Sequence, residues 1–179
     1  MGKYLIIKGA DFSEVSTGTL KQRLFSLEDC EALKDVSGNQ FTDYTAGGTP
    51  LMQVNDTYCG KTIKGITVLS GTRGIATFTL VRGTIGSTFQ TVQEIIVPQA
   101  VEDNTFIDID LQNLITLGQN EYLGILSAAT PSEPSVKLVY NKNGLQIGGV
   151  YSLTQLSTGG EVLDTMFILN PYWIGDNNI

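Results

Sequence analysis

The chain contains no histidine. That removes Ser-His-Asp and Cys-His nucleophilic catalysis, histidine-ligated zinc and the usual general base near neutral pH. Cysteine is nearly as scarce: Cys30 and Cys59 are the only two. Two are too few for a disulfide framework, and they read as buried or half-buried thiols. A single bridge between them requires folding to finish in an oxidising space. Charge is also thin, at 16% of residues against about 25% in an average globular protein. The 11 Lys and Arg are scattered singly, and the net charge is −7. Lys61 with Lys64 is no more than a pair, so the footprint that neutralises phosphates in nucleic acid binding is missing. Anionic headgroups would repel such a surface as well. No run approaches the ~20 apolar residues that span a bilayer. The apolar run at residues 4–7 is too short for the core of a signal peptide, so synthesis in the cytoplasm without a secretory signal is expected.

What is present is the material of a β-protein. Thr, Ser, Asn, Gln and Gly take the place of charge on the surface, and 41% hydrophobic residues supply a core. Twenty glycines in 179 residues exceed the average of about 7% and mark frequent tight turns. The organising stretch is residues 60–126, which reads as strands at 61–69, 75–82, 90–97, 104–111 and 121–126. Within it, Ile107, Ile109 and Leu111 alternate with Asp108 and Asp110, the two-residue period of a half-buried strand with one carboxylate-lined face. Earlier in the chain, strands are expected at 3–8, within 41–48 and at 51–54, and polar residues 14–19 read as a turn. Ser26 before Leu27-Glu28-Asp29 reads as a helix N-cap with acids in the first turn. Leu27, Cys30 and Leu33 continue one face, so a short helix is predicted over 27–35. Later strands are expected at 136–140, 148–155 and 165–170, with Asn143-Gly144 favouring a hairpin turn. Residues 170–179 are left as a C-terminal tail. The spacing predicts one domain, residues 1–179, of all-β class: an antiparallel β-sandwich, of jelly-roll type, with one short helix near the N-terminal third.

Motifs of chemistry are few. Gly60-Lys61-Thr62 resembles the end of a phosphate-binding loop, but the first glycine of that motif would fall on Asn55, and a strand rather than a helix follows. Asn55-Asp56-Thr57 fits a glycosylation acceptor and is read more simply as a turn. Asp108 and Asp110 share a strand face and could be considered as a glycosidase pair or part of a calcium site. Calcium requires six or more oxygens, and a glycosidase requires its carboxylates about 5–9.5 Å apart across a cleft. Solvent-facing alternation accounts for the two aspartates without either. The acids at 102–104 and 176–178 are ordinary turn chemistry. No catalytic residue, metal site or cofactor is therefore expected, and the protein is not expected to be an enzyme. Candidate ligand-binding residues are the aromatics Trp173, Tyr172 and Tyr151, with Tyr140 and Tyr122 behind them, and the acids Asp108 and Asp110. A ring face can stack on a sugar while a carboxylate takes its hydroxyls, although core packing or an interface is the ordinary use of such rings.

Several segments carry a family likeness: Leu5-Ile6-Ile7-Lys8-Gly9-Ala10-Asp11-Phe12-Ser13, Gly60-Lys61-Thr62-Ile63-Lys64-Gly65-Ile66, Ala76-Thr77-Phe78-Thr79-Leu80, Thr105-Phe106-Ile107-Asp108-Ile109 and Gly118-Gln119-Asn120-Glu121-Tyr122-Leu123-Gly124-Ile125. Over about residues 4–126 the chain resembles small jelly-roll accessory modules of phage and prophage virion proteins from gut bacteria, which also occur beside carbohydrate-active domains. The resemblance implies a non-enzymatic part of a fibre, collar or tail, located in the virion. Its expected partners are other virion proteins or copies of itself, with a glycan as the alternative ligand. No hydrolase activity is carried over.

Overall fold

The computed structural model describes residues 20–43, 49–53, 59–84, 86–126, 132–140, 149–151, 166–167 and 169–175. The expected strand at 3–8, the turn at 14–19, Asn55-Asp56-Thr57, Asn143-Gly144 and the acids at 176–178 lie outside them. So does the family-like segment at 5–13.

Among the described residues the protein is almost entirely β. The strands are β1 Leu20–Arg23, β2 Gln40–Asp43, β3 Thr49–Gln53, β4 Thr62–Ser70, β5 Ala76–Gly83 and β6 Gln90–Val97, then β7 Thr105–Thr116, β8 Tyr122–Leu126, β9 Lys137–Tyr140, β10 Gly149–Tyr151, β11 Met166–Phe167 and β12 Asn170–Gly175. One short helix, α1 (Leu27–Ala32), follows β1 and tightens into a 3-10 turn over Leu33–Asp35. Its start is the expected one: the Ser26 hydroxyl accepts from the Asp29 amide at 3.1 Å, with Glu28 and Asp29 in the first turn.

The strands form two antiparallel sheets. The first runs β1-β12-β4-β9-β11, with β7 on the other side of β4 and β2 on β9. The second runs β10-β3-β8-β5-β6. From β2 to β11, every connection between consecutive strands changes sheet except the β5–β6 hairpin. A hydrophobic core joins the sheets: Ile66, Val68 and Trp173 from the first meet Phe78, Leu80, Ile95, Val97, Leu123 and Ile125 from the second. The alternation read in β7 holds, with Ile109 and Leu111 in this core and Asp108 and Asp110 on the reverse face. A bulge between Ile63 and Gly65 keeps Ile63 pointing inward with Ile66, where strict alternation would turn it out.

A second, smaller cluster lies on the back of the first sheet. There Cys30 of α1 packs with Leu69 and Val139, flanked by Phe25, Leu33, Phe41 and Phe106. The helix therefore covers one end of the sheet's outer face, and the other end carries the polar residues described next.

The C-terminal segment corrects the tail reading. Asn170–Gly175 is not a tail but the inner strand β12, paired with β1 on one side and β4 on the other. Pro171 lacks an N–H, but it sits near the start of the strand, where a proline is tolerated. Strand β1 has the polar sequence Leu-Lys-Gln-Arg, which gives little apolar signal of its own.

Candidate functional site

Three of the five candidate residues converge on the outer face of the first sheet. Strands β1, β12, β4 and β7 lie side by side there, and the register sets Arg23 opposite Tyr172, Tyr172 opposite Gly65, and Gly65 opposite Asp110. Two residue pairs along, on the same face, Thr67 faces Asp108. Asp108 accepts from the Thr67 hydroxyl at 2.6 Å, from the Lys21 ammonium at 3.2 Å and from the Arg23 guanidinium. The two cations reach it across β12 and β4. Burial alone would push the Asp108 carboxyl up, but these three donors outweigh it and hold the group below the usual carboxylate range. The arrangement is thus an ion-pair network, where the sequence suggested simple solvent-facing alternation.

Tyr172 lies across this face. Its hydroxyl donates to Asp110 at 2.6 Å, and the Lys21 ammonium sits 4.5 Å from its ring centre. The ring is wholly buried, and burial first, with the Asp110 hydrogen bond second, raises its phenol above the ordinary tyrosine range. Gly65 makes this possible: a Cβ at that position would collide with the Tyr172 ring carbon and hydroxyl. The ring occupies the space that a side chain on β4 would take. Asp108 and the phenol therefore spend their hydrogen bonds within the sheet, while the Asp110 side chain stays 60% exposed.

The remaining candidates lie elsewhere. Trp173 points the opposite way from Tyr172 into the core, 5% exposed, with its indole N–H donating to the Gln22 side-chain carbonyl at 3.0 Å. Neither Tyr172 nor Trp173 presents an open ring face. Tyr151 pairs with Thr49 at the edge of the second sheet, and its side chain lies outside the described residues. Cys30 and Cys59 are unbridged thiols in different clusters, one behind the first sheet and one against the main core. Burial pushes the Cys30 thiol up to about 11.

Two surface features were not singled out by sequence. One is a polar pocket of about 130 Å³ where the β4–β5 loop, the β6–β7 turn and the start of β9 meet, lined by Asp43, Thr72, Arg73, Asp103, Ser135 and Lys137 together with Gly71, Gly74 and Pro134. Asp43 and Lys137 are cross-strand partners of β2 and β9. Arg73 donates to Asp43 at 2.6 Å and to the Glu133 carbonyl at 2.6 Å. Asp103 accepts from the Thr72 amide at 2.8 Å and the Thr72 hydroxyl at 3.0 Å, which lowers its carboxyl. A sequence signal existed only in retrospect, as the Gly-Thr-Arg-Gly loop and the Asp103 turn, two segments 30 residues apart.

The other feature is the outward face of the second sheet. The register sets Ile96 opposite Thr77 and Leu126 opposite Thr79, while Phe78, Ile95, Leu80 and Ile125 point to the core. Ile96 is 59% and Leu126 37% exposed, and beyond the strand ends Ile75 is 62% and Val101 97% exposed. Glu94, opposite Thr79, is the charged residue among the described side chains of this strip.

Compared with known protein families, with curated proteins and with solved structures, the chain matches none of them.

Proposed function

We propose that the protein is a non-catalytic structural module of a phage virion, a fibre, collar or tail component that works by protein–protein assembly with copies of itself or with other virion proteins. The finer fold in this reading is a jelly-roll β-sandwich, favoured by the strands that switch sheet at almost every connection. The observation that carries the assembly reading is the outward strip of the second sheet, where Ile96 and Leu126 stand exposed beside threonines. Two exposed large aliphatics on one weakly charged sheet face support an interaction surface there. Sedimentation velocity at micromolar concentration tests it. An oligomer that dissociates on Ile96→Lys is expected, together with detection of the chain in purified particles. A strict monomer missing from particles would overturn it.

A carbohydrate-binding module is the second reading. With the Tyr172 and Trp173 rings buried, its support is the polar pocket around Asp43, Asp103 and Lys137. A glycan array separates the two readings, since assembly alone gives no glycan signal.

A further inference from the structure

The pocket holds two cations and two carboxylates, and their pairing leaves specific atoms unused. Arg73 and Lys137 stand against Asp43 and Asp103, so the lining is neutral overall. Arg73 and Asp43 are matched at 2.6 Å. Lys137 is not so well served. Its side chain is only 13% exposed, yet among the described residues its ammonium has a single partner, Asp43 at 3.7 Å, beyond hydrogen-bond reach. Asp103 directs one oxygen, Oδ1, at both Thr72 donors. Its Oδ2 has no hydrogen bond among the described residues. Lys137 and Asp103 face the same pocket without forming an ion pair with each other. The alkyl chain of Lys137 and Oδ1 of Asp103 both pack where a Cβ on Gly71 would stand, at 2.8 and 2.9 Å. The glycine thus brings a donor and an acceptor to one opening. Beside them, the buried Ser135 hydroxyl has no hydrogen-bond partner among the described residues.

We propose that this pocket binds a saccharide through two neighbouring hydroxyl groups, one bridging Lys137 and Asp103 and the other directed at Arg73 and Thr72. The inference rests on the carbohydrate-binding reading and assigns it a place and a chemistry. A hydroxyl donates and accepts at once, so it serves an ammonium whose one ion-pair partner among the described residues lies beyond hydrogen-bond reach and an open carboxylate oxygen together. An anion would meet Asp43 and Asp103, and a cation would meet Arg73 and Lys137, so a neutral hydroxylated group suits this lining best. The volume, about 130 Å³, is well below the ~300 Å³ at which pockets for drug-sized ligands begin. It admits the edge of one sugar ring, a terminal residue of a longer glycan.

The test is amide-resolved NMR titration of the full chain with methyl glycosides of glucose, galactose, mannose, rhamnose and N-acetylglucosamine, each up to about 50 mM, with sodium sulfate as an anion probe. At least one glycoside should shift the amides of Thr72, Arg73 and Asp103, and sulfate should not. Lys137→Met keeps the alkyl packing, and Asp103→Asn keeps an acceptor for Thr72. Each should weaken that glycoside by about tenfold, the loss of one charged hydrogen bond, with the urea midpoint checked in parallel for folding. Glycoside binding that both variants leave unchanged would overturn the assignment to this pocket and leave the carbohydrate-binding reading standing. A panel that shifts no amide would overturn both. Sulfate displacing the glycoside from the same amides would overturn the neutral-ligand chemistry.

Discussion

Substituting Gly65 by alanine should be far more damaging than adding one methyl group to a sheet normally is. Gly65 lies in a central strand between Tyr172 and Asp110, and a Cβ there would overlap the tyrosine ring and hydroxyl. Something must move, and in a close-packed face overpacking costs about 1–3 kcal/mol. Displacing the ring also breaks its hydrogen bond to Asp110 at 2.6 Å. A bond to a charged acceptor contributes about 1.5–3 kcal/mol, at the low end here because water can reach Asp110. Alanine returns roughly 0.5–1 kcal/mol through the reduced backbone entropy of the unfolded chain. The net expectation is a loss of about 2–4 kcal/mol. Urea unfolding followed by fluorescence of the single tryptophan, Trp173, reads this directly. With a slope of roughly 2 kcal/mol per M, the midpoint falls by about 1–2 M. The decisive version is a double-mutant cycle. In a Tyr172→Ala background the ring is gone and the Ile109 carbonyl oxygen, 2.5 Å from where the Cβ would stand, is the obstacle that remains, so Gly65→Ala should then cost at least about 1 kcal/mol less than in the parent. Equal effects of Gly65→Ala in the two backgrounds would refute the account of this face.

Other expectations follow from the same geometry. Asn170 is buried, and its side chain both accepts from the Phe25 amide at 2.8 Å and donates to the Phe25 carbonyl at 2.6 Å. Asn170→Ala should therefore cost about 2–4 kcal/mol in urea unfolding, since it removes both hydrogen bonds from this buried side chain to the Phe25 backbone. Asp108 titrates lower folded than unfolded, so its stabilisation is complete above its ordinary value of 3.8 and is lost as pH falls through the depressed folded value. Thermal melts below about pH 4 should show Asp108→Asn losing less stability on acidification than the parent does, although it starts lower. A variant with the same acid slope as the parent would count against the network. The raised phenol of Tyr172 works in the opposite sense, with stability present below the ordinary tyrosine value of 10.0 and declining as pH rises above it. Toward a thiol-reactive dye at pH 8, half-buried Cys59 should react well before Cys30, whose thiol is buried and pushed up to about 11. Equal rates in the folded protein would contradict that placement.

The two-sheet architecture was legible where local pattern and burial agree. Strand β6 appears at the residues expected, and α1 begins at the Ser26 cap, because alternation and capping are signals carried by neighbours in sequence. Strands β1 and β12 escaped notice for a reason that lies in their pairing. Lys21 and Arg23 look like surface residues until β12 is set between β1 and β4 and the cations find Asp108 85 and more residues away. The residues from Leu169 to Trp173 are buried on both faces, so no alternation was there to read. The candidate residues fared similarly. Asp108, Asp110 and Tyr172 were legible as chemically notable, but their use of one another depends on Gly65, whose importance is a matter of what passes over it. The pocket at Asp43, Asp103 and Lys137 joins the ends of β2 and β9 to the β4–β5 loop and the β6–β7 turn, and gives no contiguous signature at all.

The C-terminal segment holds the first sheet together as an inner strand, with Trp173 in the core on one face and Tyr172 in the ion-pair network on the other. Native-state hydrogen exchange of the amides at Tyr172, Trp173 and Ile174 measures this directly. They are expected to be protected to nearly the full unfolding free energy, alongside those of Ile66 and Val68 in β4, and to lose that protection together in Gly65→Ala. Exchange at those three amides within a few-fold of the unprotected rate, while β4 stays protected, would contradict it.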